Sequence, residues 1–63
     1  MPSEEPGEVY FEFTQIGRNV KASAIDAATG VEVSIVAPAT VPTGDLQRLV
    51  LRKLKARLVA RPL

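Results

Sequence analysis

The apolar residues of this 63-residue chain recur at every second position as far as Val36, and every three to four positions from Leu46 onward. That change of period separates strands from a helix, because strand side chains alternate faces while a helix repeats every 3.6 residues. Val9, Phe11 and Phe13 alternate with Tyr10, Glu12 and Thr14. Gly17-Arg18-Asn19 supplies turn chemistry. A second strand sets Val20, Ala22 and Ala24 on one face, with Lys21, Ser23 and Ile25 on the other. Asp26-Ala27-Ala28-Thr29-Gly30 forms a second turn, its glycine suited to a left-handed backbone. The third strand places Val31, Val33 and Ile35 opposite Glu32, Ser34 and Val36.

Parity sets the pairing. A slip of one residue would carry a whole apolar set to the wrong face. With Gly17-Arg18 as a two-residue loop, Phe13 faces Ala22 and Phe11 faces Ala24. With Ala27 to Gly30 as a four-residue loop, Ala24 faces Val33 and Ala22 faces Ile35. Both hairpins then put the large apolar residues on one face, and the small alanines of the middle strand leave room for a helix.

Ala37-Pro38-Ala39-Thr40-Val41-Pro42 reads as a connector, since its prolines disfavour helix and central strand. A helix is expected from about Asp45 to Ala60, stopping before Pro62. Thr43 is a candidate N-cap and Thr40 a competing one, with Asp45 favourably placed in the first turn. Leu46, Leu49, Val50, Leu54 and Leu58 form an apolar stripe with Leu51 on its margin, while Arg48, Arg52 and Lys55 occupy the opposite side. The fold class is α+β: a three-stranded antiparallel meander with one C-terminal α-helix packed on one face, in the order β-β-β-α. Residues 1–7 are expected to be a disordered acidic tail, and 8–61 a single small domain.

A chain of this length buries only about 60% of the surface its unfolded form exposes, so stability is marginal without reinforcement. No cysteine is present for a disulfide, so good packing or self-association has to serve. The 46% hydrophobic content points to a folded domain. The acidic, proline-rich start has neither the basic flank nor the apolar run of a signal peptide. No apolar stretch reaches the roughly 18 residues of a membrane span. A soluble, cytoplasmic protein is expected, with no membrane partner.

Catalysis finds few materials. Without histidine or cysteine, the commonest general base and the best nucleophile are missing. Ser3, Ser23 and Ser34 have no histidine to activate them. Glu12 and Glu32 belong to outer strands on an open face, where no cleft would tune them for acid–base work. Glu4, Glu5 and Glu8 lack the loop geometry of a calcium site. Gly7, Gly17, Gly30 and Gly44 are scattered rather than gathered in a phosphate loop. No enzyme activity, cofactor or metal is expected.

Two surfaces remain. Tyr10, Ile16, Ile25 and Val36 fall on the face away from the helix, a candidate surface for a protein partner or a homodimer. Lys21, diagonal to Glu12, is placed for a surface ion pair there. The other surface is basic. Before Leu46 the chain carries seven acids against two bases, and the stretch beyond it carries six bases and no acid. Arg48, Arg52 and Lys55 could therefore contact phosphates of a nucleic acid, with little base reading because no aromatic or amide side chain interleaves them. The element order resembles part of a double-stranded-RNA-binding domain, whose basic cluster opens its last helix. Here that position carries Gly44 and Asp45, and a companion first helix is missing. A membrane role would need the leucine face that the sheet requires.

The stretches Val9-Tyr10-Phe11-Glu12-Phe13-Thr14-Gln15-Ile16-Gly17, Val20-Lys21-Ala22-Ser23-Ala24-Ile25-Asp26, Ala28-Thr29-Gly30, Glu32-Val33 and Leu51-Arg52-Lys53-Leu54 together resemble a family of short, uncharacterised alphaproteobacterial proteins. The resemblance covers nearly the whole chain after residue 7. It implies the β-β-β-α architecture and carries over no functional residue. It also brings transferred enzyme titles, among them serine hydroxymethyltransferase. A chain of this size lacks the large fold and Schiff-base site that pyridoxal phosphate requires.

Overall fold

The computed structural model describes residues 8–60, so the expected tail at 1–7 lies outside the described residues. Strands β1 (Val9–Ile16), β2 (Asn19–Asp26) and β3 (Glu32–Pro38) are followed by helix α1 (Thr43–Val59). The strands form one antiparallel sheet in the order β1-β2-β3. Its registers are those that parity demands. Phe13 faces Ala22 and Phe11 faces Ala24, while Ala24 faces Val33 and Ala22 faces Ile35. Gly17 and Gly30 close the two hairpins at φ of 62° and 77°, a region that an L side chain strains to occupy.

Helix and sheet share one small core. Ala22, Ala24 and Val33 of the sheet meet Leu46, Val50 and Leu54 of α1, all buried. Phe11, Ile35, Ala37, Val41 and Leu58 pack around them, half-buried. The alanines allow the helix to settle close to β2.

The helix is not centred on the sheet. It lies over β2 and β3 and makes little contact with β1. That offset corrects the expected apolar stripe, because Leu49 is 48% exposed. Leu49 stands on the flank of α1 that leads to the outer edge of β3, beyond the covered area. Phe13, on the inward face of β1, is incompletely covered for the same reason.

Three further expectations are corrected. Strand β3 runs through Ala37 to Pro38, taking in the start of the expected connector. Proline is tolerated there because its missing N–H would point away from β2, toward the free edge. Helix α1 begins at Thr43, two residues early, and neither Thr40 nor Thr43 caps it. Pro42 occupies the cap position, with its carbonyl accepting from the N–H groups of Asp45 and Leu46 at 3.0 and 3.2 Å. Thr43 is already inside the first turn, past the place where its hydroxyl could cap. Lys21 and Glu12 form no ion pair; among the described residues the only one joins Arg48 to Asp45.

Candidate interaction surface

Backbone hydrogen bonds decide which groups each edge strand offers. Ala27 donates to the Glu8 carbonyl at 3.0 Å, and Asp26 donates to Val31 at 2.9 Å. In an antiparallel ladder, the N–H and C=O of one residue point to the same side and alternate along the strand. Even-numbered residues of β1 therefore bond to β2, while Val9, Phe11, Phe13 and Gln15 turn their main-chain groups outward. On β3 the outward set is Glu32, Ser34, Val36 and Pro38.

The two edges are treated differently. On β3, the Lys53 ammonium donates to the outward carbonyl of Ser34 at 2.6 Å. Pro38 offers no N–H, and its carbonyl accepts from Val41 at 3.1 Å. A lysine and a proline are standard means of keeping an edge strand from pairing. On β1, no described residue bonds to the outward groups of Phe11, Phe13 or Gln15. The β1 edge is long, without bulge or proline, and open among the described residues.

Side chains flank that edge on both faces. Tyr10 is 55% exposed and Ile16 59% exposed on the outer face, and Phe13 is 37% exposed on the inner one. The Tyr10 hydroxyl donates to a Glu8 carboxylate oxygen at 2.5 Å. That bond holds the phenol pKa above its ordinary value of 10.0, with a smaller push from desolvation.

The outer face is built in rungs, and it does not gather the four expected partner residues into one patch. Tyr10 stands opposite Ile25, with Glu32 beyond it. Ile16 and Val36 lie toward the other end of the sheet, on its two outer strands. Between the Tyr10–Ile25 rung and that end runs the rung Glu12, Ser23, Ser34. Ser23 is only 4% exposed and shares a 3.0 Å hydrogen bond with Ser34. Sequence reasoning left this pair unremarked, although two hydroxyls directly opposite each other are a known cross-strand bond.

Asp26 is a second polar residue that the sequence did not single out as buried. Its Oδ2 accepts from the Thr29 N–H at 3.1 Å and from the Thr29 hydroxyl at 2.7 Å. Thr29 in turn accepts from the Val31 N–H at 3.2 Å. The carboxylate thus ties the second turn together. Its Oδ1 finds no partner among the described residues.

The basic face lies where the helical wheel puts it. Arg48, Arg52 and Lys55 are all exposed. Arg48 is committed to Asp45 three residues earlier, which leaves Arg52 and Lys55 facing outward. Among the described residues, no three His, Cys, Asp or Glu side chains gather as metal ligands would, and no helix is long and apolar enough to cross a membrane.

Comparison with curated proteins and with solved structures gives no significant match. A family profile described as a domain of unknown function matches residues 6–62, which is nearly the entire chain. Its span takes in all three strands, the helix and the open β1 edge, so the chain belongs to the DUF6898 family.

Proposed function

We propose that this domain is a non-enzymatic interaction module that joins polypeptides through β1. The observation that carries the reading is the asymmetry of the sheet. One edge is interrupted by Lys53 on the Ser34 carbonyl and by Pro38, while the outward main-chain groups of the other, flanked by Tyr10, Phe13 and Ile16, have no partner among the described residues. A free strand edge with apolar side chains on its flanks is what strand addition uses, the main chain supplying affinity and the side chains specificity. The chemistry of the chain favours the same reading. The Ser23 and Ser34 hydroxyls bond to each other, with no histidine in the chain to activate either one. Binding of nucleic acid through the helix has less behind it, since the Arg48–Asp45 pair leaves a face of two outward charges.

A photo-cross-linking residue placed in turn at Tyr10, Ile16 and Arg52, in the source cells, tests this reading. Protein adducts, including adducts to another copy of the chain, are expected from Tyr10 and Ile16. Nucleic-acid adducts from Arg52 with none from β1 would overturn it.

A further inference from the structure

We infer that the partner of β1 is a second copy of the same strand, paired antiparallel about a two-fold axis that passes through Phe13. The inference rests on the reading of β1 as a docking edge and names its occupant. The two copies make one six-stranded sheet. Because such an axis stands perpendicular to the sheet, both helices fall on the same face.

Three observations select this occupant and this register. The first is the outward parity of β1. Only Phe11, Phe13 and Gln15, with Val9 at the end, can bond across the edge, so odd residues must meet odd residues. The second is charge. An axis at Glu12 would set two Glu12 carboxylates directly opposite each other, which is unfavourable on a strand pair. An axis at Phe13 sets Glu12 against Thr14 of the other copy. The third is burial. With the axis at Phe13, Tyr10 of each copy lies against Ile16 of the other, and the two Phe13 side chains meet beside the axis. These are the three large apolar side chains that β1 leaves exposed. An axis at Phe11 would strand Ile16 beyond the ladder, and one at Thr14 would strand Tyr10.

The placement of α1 fits the same arrangement. It sits over β2 and β3, so two helices would leave a trough above the joined β1 strands. Phe11 and Phe13 of both copies fill its floor. Leu51 and Leu58, half-buried on the flank of α1 away from Lys53, form its walls. The ladder would add roughly six main-chain hydrogen bonds, from Phe11, Phe13 and Gln15 of each copy. A chain this short gains from such a shared core.

The full chain has no cysteine, so single cysteines report the register directly. On this axis the two residues at position 13 lie about 5.5 Å apart at Cα, within reach of a disulfide. The residues at position 12 stand about 7–8 Å apart on a diagonal, and those at position 11 farther still. Oxidation should therefore link Phe13→Cys into a covalent dimer much faster than Glu12→Cys or Phe11→Cys. Because Phe13→Cys also removes an anchor, sedimentation of the unaltered chain accompanies it, together with Gln15→Pro and Gln15→Ala. The proline deletes an outward N–H that the monomer does not use, while the alanine keeps it. A dimer is expected for the unaltered chain and Gln15→Ala, and a folded monomer for Gln15→Pro. Fastest linkage at position 12, or a dimer indifferent to Gln15→Pro, overturns the inference. So does a chain that stays monomeric up to millimolar concentration. Cross-links from Tyr10 or Ile16 to a different protein in cells would, in that case, leave the docking edge standing with another occupant.

Discussion

The Lys53 ammonium reaches across the side of the domain to the Ser34 carbonyl, 2.6 Å away on the outer edge of β3. A residue of the basic helix thereby places a charge at the middle of one margin of the sheet. Lys53 belongs to the cluster that first suggests an anionic ligand, yet its partner is the domain's own backbone. With a lysine and a proline interrupting the β3 edge, β1 remains as the strand whose edge is uninterrupted among the described residues.

Replacing Lys53 with alanine should therefore change association more than stability. The bond is exposed, so its loss is expected to cost about 0.5–1 kcal/mol in urea unfolding. Freed of its charge, the β3 edge would lie beside exposed Val36 and Leu49. Light scattering should then show species larger than those of the unaltered chain, because two edges rather than one can pair.

The offset of the helix predicts which leucines matter. Leu54 is buried against the sheet, and Leu54→Ala should cost about 2–5 kcal/mol, enough to unfold much of so small a domain. Leu49→Ala should stay within about 0.5 kcal/mol of the unaltered chain. Ala24 lies directly beneath the helix, so Ala24→Leu should cost about 1–3 kcal/mol by overpacking. Denaturant midpoints of the three variants check this order.

At Gly30 the cost comes from the backbone alone. A Cβ there would meet no atom within 4 Å, but φ is +77°. Gly30→Ala is expected to destabilise by about 1–2 kcal/mol without altering the fold, as thermal unfolding and NMR shifts would show.

Tyr10 reports on its own bond to Glu8. A carboxylate that accepts from the phenol favours the protonated form, so the folded-state pKa lies above the unfolded one. The stabilisation is thus fully present below the ordinary phenol pKa and is lost as pH rises through the raised folded value. Ultraviolet titration should show Tyr10 ionising above pH 10, and Glu8→Ala should bring it back toward its ordinary value.

Much of the fold could be read from residue spacing, and the reason is parity. The alternation at Val9–Thr14 and the lengths of the two turns leave a single pairing that keeps Phe11, Phe13, Val33 and Ile35 together on one face. The lateral position of the helix leaves no such mark. A wheel groups Leu49 with Leu46 and Val50 whether α1 lies over β1 or over β3. From that position follow the exposure of Leu49 and Phe13, the reach of Lys53 and the openness of β1. The candidate surface was accordingly legible only in part. Tyr10 and Ile16 stand out from the sequence as outer-face residues, whereas Phe13 looks like core until the helix is placed. The helix start misleads for a local reason: Thr43 and Thr40 have the right chemistry for a cap, but the turn from Pro38 to Val41 delivers Pro42 to that position.

Amide hydrogen exchange at Phe13, followed as a function of protein concentration, tests most directly whether β1 is a working edge. Its N–H points outward from the sheet and would be bonded only when a second strand is present. The account predicts rapid exchange at high dilution and marked protection at high concentration, while inward amides such as Ala24 change little. Rapid exchange of Phe13 at every concentration would contradict it.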